Sequence, residues 1–111
     1  MQNIIMRKYR NKICKANGYT FHSQKERKRY QDLLLLEKTG EINNIQLQPV
    51  FPIIINGFHV CKVIPDFSYI NLATKRRIVE DVKSPITRKE STYRLKKKLL
   101  FAAHGIEITE I

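Results

Sequence analysis

The stretch PDFSYINLATKRRIVEDVK, residues 65–83, decides how the chain is read. Its second half, Arg76 to Lys83, has Ile78, Val79 and Val82 as apolar content and reads as a strand, and Asn71 to Lys75 before it reads as a turn. Upstream, His59 to Ile70 is a second run of strand-forming residues, and Gln46 to Ile55 a third, joined to it through Asn56-Gly57, the strongest short hairpin dipeptide. The simplest pairing is a three-strand meander. Pro49, Pro52 and Pro65 lack the amide that a central strand needs, so bulges or edge positions are expected there.

Working outward, Ser23 begins a helix over residues 23–39, with Glu26 three positions on as its capping-box partner and Gly40 as its stop. Tyr30, Leu33, Leu34 and Glu37 keep helical spacing. On the other side Ser84-Pro85 ends the third strand, and Arg88 to His104 reads as a second helix with Leu95, Leu99, Phe101 and Ala102 or Ala103 as its buried stripe. Gly105 stops it, and Ile106 to Ile111 makes a last short strand. The order is α-β-β-β-α-β, an α/β fold in which two helices flank a mixed four-stranded sheet. Residues 1–21 form a basic arm with Arg7, Lys8, Arg10, Lys12 and Lys15 and a possible hairpin at Asn17-Gly18; residues 22–111 form one domain. There is no internal repeat and no low-complexity tract.

The chain has 111 residues, 42% of them apolar, which suits one modest core. Its 21 Lys and Arg against 10 Asp and Glu give +11, which points to a polyanionic partner, because neutralised phosphates release counterions. The longest apolar run, Val50 to Ile55, is interrupted by Pro52 and is far shorter than the ~20 residues of a membrane helix. No signal peptide is evident, so a cytoplasmic protein with reduced thiols is expected. Cys14 and Cys61 have no partner at zinc-ligand spacing.

Strand alternation places Asp81 and Lys83 on one side, about 7 Å apart along the chain, and Val82 on the other. If the second and third strands pair across the turn, Asp66 reaches the same side. Two carboxylates and an ammonium in a small volume suit a hard divalent cation and hydrolysis of a phosphodiester. The plain alternatives are a turn residue at 66, a solvated pair at 81 and 83, and a cap at 26. Glu80 adds a register question, since a slip of one residue would aim it at the site in place of Asp81.

Pro65-Asp66, then 14 residues, then Asp81-Val82-Lys83 resembles the PD-(D/E)XK nuclease signature. Together with Phe21-His-Ser-Gln-Lys-Glu26, Leu47-Gln48-Pro49 and Tyr93-Arg-Leu-Lys96, the chain from residue 7 to 111 resembles small phage-encoded endonucleases of that superfamily, some of them Holliday-junction resolvases. The resemblance implies a restriction-endonuclease-like core. It makes Asp66, Asp81 and Glu26 ligands of Mg²⁺, with Mn²⁺ as a substitute, Lys83 the catalytic lysine, and Gln48 a residue beside the site. It places Tyr93 and Lys96 near the DNA backbone; Lys97, Arg88, Arg76 and Arg77 are further candidates for contact with DNA, or else solvated surface. It also implies branched DNA as substrate, a homodimer, and no small-molecule cofactor or membrane partner. The rival readings are a non-catalytic basic nucleic-acid-binding protein and a protein that inhibits or recruits another. His22, His59 and His104 are scattered and read as structural. The five tyrosines are candidates for stacking on unpaired bases, and most of them read as core or boundary residues.

Overall fold

The computed structural model describes residues 14–111. The basic arm before residue 14 lies outside the described residues. A small hairpin, β1 (Cys14–Ala16) and β2 (Tyr19–Phe21), turns at Asn17-Gly18, as expected from that pair.

Helix α1 (Gln24–Lys38) starts where Ser23 Oγ accepts the Glu26 amide at 3.1 Å, and it ends at Thr39 before Gly40, whose φ of +83° only glycine adopts freely. Its inner face is Glu26, Tyr30 and Leu33, spaced one turn apart.

A mixed sheet of β3 (Ile42–Leu47), β6 (Phe67–Asn71), β7 (Arg76–Asp81) and β8 (Ile108–Glu110) runs in the order β3-β6-β7-β8. The first two pairings are antiparallel and β7 with β8 is parallel, so β8 returns through a helical crossover. That crossover holds the short α2 (Pro85–Arg88) and α3 (Ser91–His104).

The two long predicted strands are each broken, and the meander is therefore corrected. Gln46 to Ile55 divides at Gln48, which takes a φ of +50°, and at Pro49; β3 starts earlier, at Ile42, and β4 (Phe51–Ile55) leaves the sheet. His59 to Ile70 divides at Pro65 into β5 (Phe58–Val63) and β6. The hairpin β4–β5, turning at Asn56-Gly57, is inserted between two strands that pair with each other. The missing proline amide cannot continue a ladder, and both breaks fall beside a proline. The third strand ends at Asp81, and the second helix starts at Ser91, after the separate turn of α2.

Two cores lie on the two faces of the sheet. α1 and the first hairpin cover Phe67 and Tyr69 with Phe21, Tyr30 and Leu33; α3 and the β4–β5 hairpin cover Val79 with Leu100, Phe51, Ile53 and Val63. The predicted α3 stripe is rotated. Leu95 and Phe101 are more than half exposed and Ala102 and Ala103 are exposed; Leu99 packs against the core as expected, and the inner line is Tyr93, Lys96, Lys97, Leu99 and Leu100. Long polar side chains hold that line because their stems cover apolar surface while their tips reach the acidic end of β7 and β8.

Candidate metal and phosphodiester site

Asp66 and Asp81 meet where β6 begins and β7 ends, each gripping the other's strand. The Asp66 amide donates to Asp81 Oδ1 at 2.9 Å, and the Val82 amide donates to Asp66 Oδ2 at 2.8 Å. The Asp66 amide also donates to the Glu80 carbonyl at 3.1 Å. This leaves Asp66 Oδ1 and Asp81 Oδ2 without a backbone partner among the described residues. The β3 end joins the same junction, since the Gln48 amide donates to the Asp66 carbonyl at 2.9 Å.

Glu26 reaches this point from α1. Its carboxylate accepts the His22 amide at 3.1 Å while it contacts the Asp66 carboxyl. It therefore serves the helix start and the acidic cluster together: its amide is capped by Ser23 as expected, while its carboxylate takes the amide of His22 and not that of Ser23. Burial, then the Asp66 carboxyl, push Glu26 up to about 8. Burial and the charge of Asp66 push Asp81 up to about 7, against the opposing pull of Lys83. Acids crowded out of water hold protons that a cation would displace.

Lys83 continues from Asp81. Its ammonium lies 5.4 Å from the centroid of the Tyr93 ring, and its charge acts on both Glu26 and Asp81. The cleft on this side is lined by Lys62, Asp81, Lys83, Tyr93, Lys96 and Lys97.

Glu80 faces away. It sits 1% exposed on the α1 side, accepting from Arg29 Nε at 2.9 Å, Arg29 Nη2 at 2.5 Å and the Tyr69 hydroxyl. Burial and then that bond raise Tyr69 to about 12. The register question is thereby answered in favour of Asp81. Arg29, one helical turn after Glu26, was the available signal for this network and was not singled out from sequence.

The remaining candidates divide. Tyr93 donates to Glu110 Oε2 at 2.8 Å, Lys97 to the same oxygen at 3.0 Å, and Arg88 stands 4.0 Å from Glu110 Oε1. Burial raises Glu110, but the bonds from Tyr93 and Lys97 outweigh it, so its carboxyl lies below the ordinary range. Glu110 was not legible as an organiser of these cations, because only β8 pairing beside β7 brings it near them. Lys96 lines the cleft. Arg76 and Arg77 lie at the opposite end of β7 from Asp81, about 15 Å away at strand rise. Arg77 instead covers the Phe51 ring at 4.8 Å and bonds Gln46 at 3.4 Å.

Among the described residues no group of three His, Cys, Asp or Glu side chains stands at metal-ligating spacing. The three carboxylates meet as two pairs that share Asp66. Their donor set is nonetheless all oxygen, which fits a hard cation that keeps several waters and needs only one or two carboxylates from the protein. No described helix is long and apolar enough to cross a membrane. No curated protein and no solved structure matches the chain. Residues 6–109 match the model of a protein family of unknown function, DUF1064, and the chain belongs to that family.

Proposed function

We propose that the chain is a metal-dependent DNA endonuclease with a restriction-endonuclease-like core, hydrolysing phosphodiester bonds in branched DNA as a homodimer in the cytoplasm, the host's where it is phage-encoded. The observation that carries this reading is the reciprocal clamp of Asp66 and Asp81, with Glu26 and Lys83 converging on it.

Asp66 and Asp81, with Glu26 beside them, would hold Mg²⁺ or Mn²⁺, which when bound supplies polarisation of the scissile phosphate and a hydroxide at neutral pH. The backbone bonds fix one oxygen of each aspartate and so fix where the other lies, and a preset ligand needs no reorganisation during reaction. Lys83, held over Tyr93, supplies positive charge to phosphoryl oxygens as negative charge develops on them. Lys96 and Lys62 extend the positive cleft along the strand to be cut. Lys97 and Arg88 can exchange Glu110 for phosphate.

The test is cleavage of a labelled four-way junction, with linear duplex and single strand as controls, in about 10 mM Mg²⁺. Asp81→Asn keeps the oxygen that accepts the Asp66 amide but loses the charge. It is expected to abolish paired nicks at the junction while binding DNA as tightly or more tightly. Cutting of every substrate keeps the nuclease and removes junction specificity. No cutting by the wild type in Mg²⁺ or Mn²⁺, with salt-sensitive binding, establishes the non-catalytic binder instead.

A further inference from the structure

Three clefts touch the acidic cluster; one opens over Glu26 and Asp66 with Lys25 and Lys83, and the remaining two are of opposite character. The one beyond Asp81 carries Lys62, Lys83, Lys96 and Lys97. The other, of about 400 Å³, shares Glu26 and Asp66 with the site and is walled by Tyr19, Phe21, Leu47 and Gln48. No Lys or Arg lines it among the described residues. A nucleotide divides in the same way, into an anionic phosphate and an uncharged base. Among the described residues that side has no counter-charge for phosphate, and it offers apolar and aromatic walls that a base can cover.

Tyr19 provides the platform. It lies on β2, 49% exposed, and packs edge-on to Tyr30 with ring centroids 5.8 Å apart and planes at 81°, so its ring is braced from one side. Gln48 is exposed at the opposite wall, its backbone fixed by the bond to Asp66, and its amide can both donate to and accept from a base edge. A base inside a duplex cannot enter a cleft beside its own scissile phosphate; it must be unpaired or flipped out.

Resting on the nuclease reading, we infer that the Tyr19–Gln48 cleft is a subsite for one unpaired nucleobase next to the scissile phosphate. Preference for branched or single-stranded DNA then arises from this subsite, since only such substrates present the base without the cost of unstacking it.

The experiment scans an abasic nucleotide through each position of a cleaved strand, for wild type, Tyr19→Ala and Tyr19→Phe, with thermal melts to confirm folding. In the wild type one position beside the cut is expected to slow cleavage by about tenfold to a hundredfold, the worth of stacking one base. Tyr19→Ala is expected to cut the intact strand as slowly as wild type cuts that abasic strand, and to lose nothing more when the two are combined. Tyr19→Phe keeps the ring and is expected to behave as wild type. Absence of a sensitive position, or losses that simply multiply, overturns the subsite. A second measurement does not need turnover: quenching of 2-aminopurine at that position, in Ca²⁺, is expected with wild type and Tyr19→Phe and not with Tyr19→Ala. If the wild type cuts no DNA, the nuclease reading fails and the scissile phosphate with it, and quenching scanned along a single strand then decides only whether the cleft takes a base: Tyr19-dependent quenching upholds base binding and none overturns it.

Discussion

At the scale of single residues, the acidic cluster holds its protons further up the pH scale than free carboxyls do. Glu26 at about 8 and Asp81 at about 7 are both raised, so the folded state binds more protons than the unfolded chain between about pH 4 and 8. For raised groups stability is full below the ordinary carboxyl range and is lost as pH rises through the folded values. The melting temperature of the metal-free protein is therefore expected to fall between pH 5 and 8. Asp81→Asn should flatten that fall, and about 10 mM Mg²⁺ at pH 8 should restore the wild type and leave the variant nearly unmoved. A melting temperature that does not change with pH, or a variant that gains as much from Mg²⁺ as the wild type, contradicts a cation held by this pair. Glu80, one position away, is paired instead with the Arg29 guanidinium and accepts the Tyr69 hydroxyl. A buried pair of that kind fixes which side of β7 faces which helix.

Among the elements, Leu100 has the most to hold together. It is fully buried between α3, the β4–β5 hairpin and Val79, so Leu100→Ala removes the contact that seats both on the sheet. A loss of about 2–5 kcal/mol in urea unfolding is expected, against little change for Leu95→Ala on the exposed side. From sequence, α1 was readable almost to the residue, because Ser23, Glu26 and Gly40 act locally. The hairpin turn at Asn56-Gly57 was readable for the same reason. What could not be read was where the hairpin goes. Gln48 at positive φ and the prolines at 49 and 65 mark breaks, yet nothing nearby in the chain states that Leu47 and Phe67 become partners across the gap. The α3 stripe held at Leu99 and failed at Leu95 and Phe101, which are hydrophobic choices that the helix turns outward while Tyr93 and Lys97 reach Glu110. The aspartates and Lys83 were legible as types and spacing, whereas their mutual backbone bonds depend on a pairing that sequence gives only as a condition.

For the molecule as a whole, a charge of +11 sets how tightly any nucleic acid is held and how that depends on salt. With ~6 phosphate contacts, the affinity for DNA is expected to fall about a thousandfold between 50 and 200 mM salt. Lys96→Ala should lower the slope by about one contact and weaken all sequences alike, as fluorescence anisotropy over a salt series would show. Affinity that survives the series would instead point to a protein partner. Two cores lie on opposite faces of one sheet, and the acidic cluster sits at the strand ends, where Glu26 of α1 comes to Asp66 and Asp81 beside Lys83 at the start of the crossover.

The clamp between Asp66 and Asp81 also bears on folding fidelity. Each aspartate is fastened to the strand that carries the other, so a slip of β6 against β7 by one residue breaks both bonds and separates both carboxylates in a single event. On the proposed nuclease reading, a misregistered chain is then inert and not merely slower. Correct assembly and the licence to cut would be one and the same condition.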